Sequence, residues 1–424
     1  MDINNNDKQK NINNALNAYS ITNENIFCDE SYKNKKWIWQ HHNYPNFIYN
    51  KVDTVEIIKE IEKNHTILSN IVNKINKNDF LQAQISSLEN EIINSSLIEG
   101  EILDRASVRS SIKKKLDEKF DGLADTSSTR QTDNLISILL DANLNKAPMS
   151  IERLHGWHNA IFESGYSGLF KIKVAQFRDS QMQVVSGAMT REKIHYEAVP
   201  PKHIKKDMKL FLDFINNSQE NAYVKSAIAH LWFVVIHPYD DGNGRITRAL
   251  ADYCLPNNNI KLYSISSIIQ SNKKAYYEKL EQTTKLVSNP NCDFTAWIKW
   301  HLEMTNHAIK DSINLIKNIV FKTDFWDKFR TCNLNKTQQK VLNEVLDVGV
   351  SNFDGGIDIA KFASIAKISK DMAKKEIDEL VKFGCLKIKE NGKSYLLNND
   401  SNTDLKHSYI NNENEDSKLK IQYK

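Results

Sequence analysis

The chain has 424 residues, of which 40% are hydrophobic and 26% charged, and its formal net charge is +4. This length favours two or three domains, and a charge balance so near neutrality does not by itself indicate a nucleic-acid or membrane partner. The 5 cysteines form no CxxC pair, the first residues lack an apolar signal segment, and no apolar run approaches the roughly 18 residues of a membrane-spanning helix. We therefore expect a cytoplasmic protein without a disulfide framework, a structural zinc site or a membrane partner.

The first third of the chain is predicted to be a helical domain behind a disordered start. Residues 1–30 are rich in Asn and poor in large apolar side chains, which is typical of disorder. Packed structure is expected from Trp37, in the aromatic run WIWQHHNYPNF. From Val55 to about Leu116, apolar residues recur three and four positions apart, which predicts helices. We place this domain at residues 31–130.

Residues 131–325 are predicted to form a second, mostly helical block. One part differs: Phe177 to Pro201 alternates between apolar and polar residues and predicts a β-hairpin. The run AYVKSAIAHLWFVVI, Ala222 to Ile236, is apolar on most sides and predicts a central core helix.

The sequence HPYDDGNGR at residues 237–245, followed by Arg248, gathers many functional residue types in a short run. Pro238 ends the core helix at His237, and a new helix is expected near Arg245. Two glycines in between allow backbone N–H groups to converge on an anion at the new helix's N-terminus. Arg245 and Arg248 share a face there, which suits a polyphosphate. An ordinary Asp-Gly and Asn-Gly turn beside a packed histidine is the alternative, and it leaves the clustering unexplained.

This string resembles the Fic family motif HPFxxGNGRxxR, with Tyr239 in place of the usual Phe. The resemblance implies a mainly α-helical, Fic-type core over about residues 148–303. It implies that His237 is the general base for a target hydroxyl, which attacks the α-phosphorus of ATP while pyrophosphate leaves. It further implies that Asp241 holds Mg²⁺. The implied ATP-binding residues are Gly242, Asn243, Gly244, Arg245 and Arg248.

Two further segments resemble parts of the same family. The predicted hairpin is similar to a flap that clamps an extended target segment by strand addition, with Gln183, Val184, Val185, Ser186 and Gly187 as the contacting residues. A purely structural hairpin explains the pattern equally well. Tyr276 and Tyr277 resemble an aromatic pair near the adenine, although such a pair is more often part of a core.

Residues 95–100, SSLIEG, resemble the family's inhibitory motif (S/T)xxxE(G/N). The resemblance implies that Glu99, aided by Ser95, pairs with Arg248 in a bidentate manner and occupies the guanidinium that the γ-phosphate needs. A solvent-facing Glu near a helix end is the alternative reading. The domain ahead of the core also resembles, more loosely, one found before other Fic cores.

Residues 330–398 are predicted to contain three helices and then a hairpin, which is the winged-helix pattern, ahead of a disordered tail at 399–424. Four lysines on the helix from Ser369 make DNA a candidate partner through this domain. A docking or dimerisation module with solvated lysines is the alternative. A gel shift that weakens steeply with salt would support DNA binding.

Together these features predict an autoinhibited protein adenylyltransferase that modifies an unknown protein substrate and its own chain. The alternatives are a de-AMPylase, a transferase for another nucleotide or for phosphocholine on the same fold, and a DNA-binding regulator whose core senses nucleotide. Fic proteins often form dimers, so a homodimer is a further expectation.

Overall fold

A computed structural model describes residues 35–116, 127–186, 193–256, 261–348, 356–389 and 392–398. The predicted disordered ends and Gly187 of the predicted flap lie outside these ranges. Two compact units, residues 1–314 and 315–424, divide the chain.

Helices dominate the described residues, which confirms the predicted mainly helical class. In the first unit they are α1 (Val52–Val72), α2 (Lys77–Ile98), α3 (Arg105–Leu116), α4 (Arg130–Leu144), α5 (Ile151–Ile161), α6 (Pro201–Asn217), α7 (Ala222–Ile236), α8 (Asn243–Tyr253), α9 (Ile265–Ser271) and α10 (Lys273–Thr284). Helix α11 (Thr295–Phe329) begins in the first unit, and α12 (Lys336–Val348), α13 (Ile359–Ala366) and α14 (Lys370–Lys382) follow in the second. The strands form three antiparallel pairs: β1 (Tyr166–Ser167) with β2 (Phe170–Lys171), β3 (Gln183–Ser186) with β4 (Lys193–Glu197), and β5 (Leu386–Ile388) with β6 (Tyr395–Leu397).

Helix α7 lies at the centre of the first unit, over the predicted residues. Its large side chains are buried on every face, including Leu231, Trp232 and Phe233. A helix that is apolar all round has no solvent face, so it serves as the packing surface for its neighbours α6 and α8. The loop that follows α7 therefore starts from a rigid element.

The aromatic segment after residue 35, which was predicted to be packed, contacts this core. The Trp39 indole donates to the carbonyl of Glu197 at 2.8 Å. The buried Asp207 carboxylate accepts hydrogen bonds from Tyr44 at 2.7 Å and from the Trp232 indole at 2.8 Å. Burial raises the pKa of Asp207 to about 7. These bonds tie the N-terminal segment to α6 and α7.

The second unit contains the predicted order of three helices and a hairpin, around a core that includes Val341, Phe362, Ile377 and Leu380. The four lysines of the α14 segment are exposed, namely Lys370, Lys374, Lys375 and Lys382. Acidic residues alternate with them on the same helix, so the positive charge is diluted. DNA binding stays a prediction for this unit. In the described ranges, no helix has the length and apolar character needed to cross a membrane.

Candidate active site

His237 closes α7 in a left-handed backbone conformation, with φ of 49°. Such a conformation costs a non-glycine residue about 1–2 kcal/mol, and strain of this kind is typical of functional sites. The backbone N–H of His237 donates to the carbonyl of Phe233 at 2.9 Å. The ring nitrogen Nδ1 donates to the carbonyl of Val234 at 3.3 Å, which leaves Nε2 as the ring's proton acceptor. The side chain is half-buried and lines a cavity.

Arg178, which no pattern in the sequence indicates, contacts the C-terminal end of α7. Its Nε donates to the carbonyl of His237 at 2.7 Å, and its backbone N–H donates to that of Pro238 at 3.0 Å. Its remaining guanidinium nitrogens donate to the carbonyls of Ser180 and Val199. The terminal carbonyls of α7 would otherwise lack partners, so Arg178 stabilises the position of the histidine.

The loop after His237 is held closed by two side chains. Asn243 accepts from the backbone N–H of Tyr239 at 3.0 Å and donates to its carbonyl at 2.8 Å. The fully buried Tyr239 ring stacks on His158, with centroids 4.2 Å apart, and its hydroxyl lies 3.0 Å from His155 Nδ1. Because the Asn243 side chain is committed to the loop, its contact with a phosphate would come through the backbone.

His158 connects the same loop to the segment around Ala175. Its Nδ1 accepts from the backbone N–H of Ala175 at 3.1 Å, so its Nε2 carries the proton and donates to the carbonyl of Asp241 at 3.2 Å. Burial lowers the pKa of His158 to about 4, which keeps this neutral tautomer at physiological pH.

Gly242→Ala is expected to destabilise the first unit by about 2–4 kcal/mol. Gly242 has φ of +78°, and a Cβ there would lie 2.6 Å from Cε2 of Phe162. Urea unfolding would measure the loss. Gly165→Ala is the matched control, since Gly165 has φ of +79° but nothing within 4 Å of an added Cβ. Equal losses in the two variants would show that the Phe162 contact does not restrict the loop.

Helix α8 begins at Asn243, earlier than the predicted start near Arg245, and Gly242 is its N-cap. Gly244 and Arg245 therefore belong to the first turn, whose backbone N–H groups have no helical partners. The Arg248 side chain, 3% exposed, lies one turn further along. This is the arrangement of a helix N-terminal anion site flanked by two guanidiniums.

The Glu99 carboxylate occupies that anion site. Its Oε1 lies 2.8 Å from Arg248 Nη1, and a Cβ added to Gly244 would lie 2.0 Å from the same oxygen. Glu99 and Arg248 share one contact rather than the bidentate contact that was expected. The other donors of the Arg248 guanidinium bind Ser95 instead. Nε donates to Ser95 Oγ at 2.8 Å, and Nη2 donates to the Ser95 carbonyl at 2.7 Å.

The position of Glu99 depends on how α2 is anchored. The buried Glu91 carboxylate of α2 accepts from Ser264 Oγ at 2.8 Å and from the backbone N–H of Ser266 at 3.2 Å, at the start of α9. Near the end of α2, Lys273 donates to the carbonyl of Leu97 and Tyr277 donates to that of Ile98, both at 3.2 Å. The C-terminal part of α2 is thus bonded to α9 and α10.

Two cavities flank the Glu99 carboxylate. One of about 530 Å³ is mainly apolar and is lined by His237, Gly244, Tyr276, Tyr277, Val184 and Val185, among others. The other, of about 780 Å³, is more polar and is lined by Asp241, Arg245 and Ser167, among others. Glu99 lines both. The first cavity thus offers an apolar wall, and the second offers charged and polar groups.

Both tyrosines of the predicted pair, Tyr276 and Tyr277, line the apolar cavity, but they differ in burial. Tyr276 is buried and bonds His230 Nε2 through its hydroxyl at 3.0 Å. Tyr277 is 42% exposed and belongs to the cavity wall. Of the predicted flap, Val184 and Val185 face the same cavity, at a register irregularity between them. Gln183 and Ser186 lie at the ends of β3, and Gln183 reaches Glu197 Oε2 at 3.4 Å.

Asp241 is the predicted metal ligand, and its carboxylate lines the polar cavity. Its Oδ1 accepts from the backbone N–H of Gly242 at 2.5 Å, and its Oδ2 accepts from Ser167 Oγ. Among the described residues, no three His, Cys, Asp or Glu side chains converge on a metal position. One carboxylate joined by substrate phosphates is a usual donor set for Mg²⁺, so the residues present fit this ion.

Two segments of the chain match known family models. Residues 148–255 match the Fic/DOC family model, and residues 37–117 match a domain of unknown function (DUF4172). A uridine 5'-monophosphate transferase of Xanthomonas campestris pv. campestris (strain 8004) is 33% identical over 64 residues, which cover 13% of this chain and 12% of that protein.

The solved structures that resemble the chain include three proteins described as Fic proteins. One from Desulfovibrio desulfuricans G20 has a TM-score of 0.48 at 16% identity and covers 84% of this chain and 98% of its own. One from Bacteroides thetaiotaomicron VPI-5482 has a TM-score of 0.46 at 16% identity, with 61% and 97% covered. Fic-1 from C. elegans has a TM-score of 0.41 at 15% identity, with 63% and 74% covered.

Proposed function

Because residues 148–255 form a Fic/DOC family domain, we propose that the chain is an autoinhibited protein adenylyltransferase, which transfers AMP from ATP to a hydroxyl side chain of a protein. One observation carries the proposal. The acceptor nitrogen of His237, the N-terminus of α8 and the Glu99 carboxylate that covers it all lie at one cavity. A base and an anion site in one cavity suit the activation of a hydroxyl beside a phosphate.

His237 is proposed to take the proton of the attacking hydroxyl. Burial and, second, the nearby Arg178 guanidinium lower the pKa of His237 to about 4, so the imidazole is neutral at pH 7. The Nδ1–H bond to Val234 directs Nε2 to act as the base. The hydroxyl oxygen bonds to the α-phosphorus, the bond from phosphorus to the bridging oxygen breaks, and pyrophosphate leaves.

The phosphates are proposed to bind where Glu99 now lies. The first turn of α8 offers backbone N–H groups at Gly244, and Arg245 and Arg248 supply positive charge. Asp241 would hold Mg²⁺, which neutralises phosphate charge when bound. Tyr277, Val184 and Val185 would enclose the adenine ring of ATP in the apolar cavity. Glu99 competes with the γ-phosphate for Arg248, and this competition is the proposed autoinhibition.

The donor nucleotide decides between this proposal and its nearest rival. The relative from Xanthomonas is named a uridine 5'-monophosphate transferase, which makes UMP transfer a specific second candidate. The test is to incubate the Glu99→Gly chain with Mg²⁺ and ATP, GTP, CTP or UTP in turn and to record intact masses. Addition of AMP only from ATP supports the proposal, whereas addition of UMP from UTP supports the rival. Loss of AMP from a pre-modified protein would instead show a de-AMPylase.

The acid limb of the pH profile is expected near pH 4 rather than near the ordinary histidine value. His237 acts as a base only when neutral, and its pKa is lowered from 6.5 to about 4, so activity should be retained down to about pH 5. The measurement is kcat/KM for ATP from pH 5 to 8 in the Glu99→Gly variant at saturating Mg²⁺. The Glu99 carboxylate raises the pKa of His237, so its removal shifts the limb further down. A limb centred near pH 6.5 would contradict a neutral, pre-formed base.

A further inference from the structure

A second carboxylate, Glu101, pairs with the other arginine of the motif. Its Oε2 lies 2.6 Å from Arg245 Nη1, and the Arg245 side chain is 11% exposed. Its Oε1 accepts from Gln131 Nε2 at 2.5 Å, which orients the carboxylate. Both guanidiniums of the motif are therefore paired with acidic side chains that lie two residues apart.

The backbone at the end of α2 explains how one short segment supplies both carboxylates. The N–H of Glu101 donates to the carbonyl of Ser96, and the N–H of Gly100 donates to that of Leu97, each at 3.0 Å. These two bonds, with Gly100 at φ of +83°, form a Schellman cap. The cap turns the chain sharply after Glu99, so Glu99 faces Arg248 while Glu101 faces Arg245. The left-handed backbone that places the second acid thus favours a glycine directly after Glu99.

Glu101 also lies in the cavity where anionic groups would bind. The polar cavity of about 780 Å³ is lined by Glu99, Gly100, Glu101, Asp241 and Arg245, among others. A phosphate entering this cavity would meet a guanidinium already neutralised by Glu101. In a partly buried site, a carboxylate and a phosphate oxygen compete for the same charged N–H donors.

We propose that Glu101 is a second inhibitory carboxylate, which competes with the triphosphate of the nucleotide for Arg245. The proposal rests on the proposed function, since it assumes that a nucleotide phosphate uses Arg245. Glu99 blocks the anion site over Gly244, whereas Glu101 withholds the other guanidinium. Full release therefore requires both acids to leave, and loss of Glu99 alone gives a partly inhibited protein.

The test measures Mg²⁺–ATP binding by calorimetry in the full chain, with Glu99→Gly as the reference. Adding Glu101→Gln is expected to tighten Kd about five- to tenfold, because a neutral amide competes weakly for the guanidinium. Adding Glu101→Ala, which removes the competing group, is expected to tighten it at least as much. The matched control is Glu163→Gln in the same background, because Glu163 lies at the wall of the same cavity but pairs with Arg130.

Tighter binding with both Glu101 variants and not with the Glu163 variant supports the proposal. Unchanged or weaker binding overturns it and shows that Glu101 only positions Arg245, and undetectable binding in every variant overturns it as well. AMP incorporation measured on the same samples separates the two ideas. If ATP binds more tightly but no AMP is transferred, the proposed transferase function is wrong, whereas the inhibitory role of Glu101 is supported.

Discussion

Glu99→Gly is expected to raise AMP incorporation by about ten- to a hundredfold over the parent chain. The carboxylate lies on Arg248 and directly over Gly244, so its removal frees both a guanidinium and the N-terminus of α8 for the triphosphate. Loss of one competing charged contact in a partly buried site changes the population of the binding-competent form by this order. The measurement is incorporation of label from ATP labelled at the α-phosphate, with the modified site identified by mass spectrometry.

The Glu99→Gln variant separates the effect of the Glu99 charge from the effect of the side chain's volume. A glutamine keeps the side chain over Gly244 but removes the charge, so it should give a smaller rise than glycine. Glu278→Gly is a surface control, because Glu278 lies exposed on α10 and its ion pair with Lys274 is long, at 3.9 Å. If the Glu99→Gly protein bound ATP but incorporated no more AMP than the parent chain, the inhibitory role of Glu99 would be wrong.

The parts of the site that could be predicted are those carried by a contiguous string. The end of α7 at His237, the glycine loop and the start of a new helix after it follow from local rules, namely a proline stop and glycines before a helix. The pairing of Glu99 with Arg248 is implied only by the family resemblance. The two residues are far apart in sequence, and periodicity does not indicate their contact.

The parts that could not be predicted act through backbone groups of distant segments. The Arg178 side chain donates to the carbonyls of four residues, of which Ile236 and His237 lie at the end of α7. An isolated arginine in the sequence FRDSQ gives no sign of these contacts. His158 is held in one tautomer by a backbone N–H and a loop carbonyl. Ser167 reaches Asp241 from a two-residue strand. Glu101 is a second acidic residue in the run IEGE, but its pairing with Arg245 depends on the fold.

His237→Ala is expected to lower AMP transfer by about 10²- to 10⁴-fold in the Glu99→Gly background, while ATP affinity changes little. The imidazole lines the cavity and offers Nε2, but it is not among the groups that hold Glu99 at the anion site. Loss of the base should therefore remove the chemical step and leave binding. The measurements are label incorporation and calorimetric Kd for Mg²⁺–ATP on the same preparations.

His237→Asn is the matched variant, because the backbone at this position is left-handed. With φ of 49°, alanine is strained there, whereas asparagine adopts this region more readily and still cannot act as the base. Loss of transfer in both variants, with binding and folding kept in the asparagine variant, would assign the loss to the imidazole. Transfer that survives in the asparagine variant would place the base elsewhere, and loss of ATP binding in both would mean that His237 shapes the pocket rather than moves the proton.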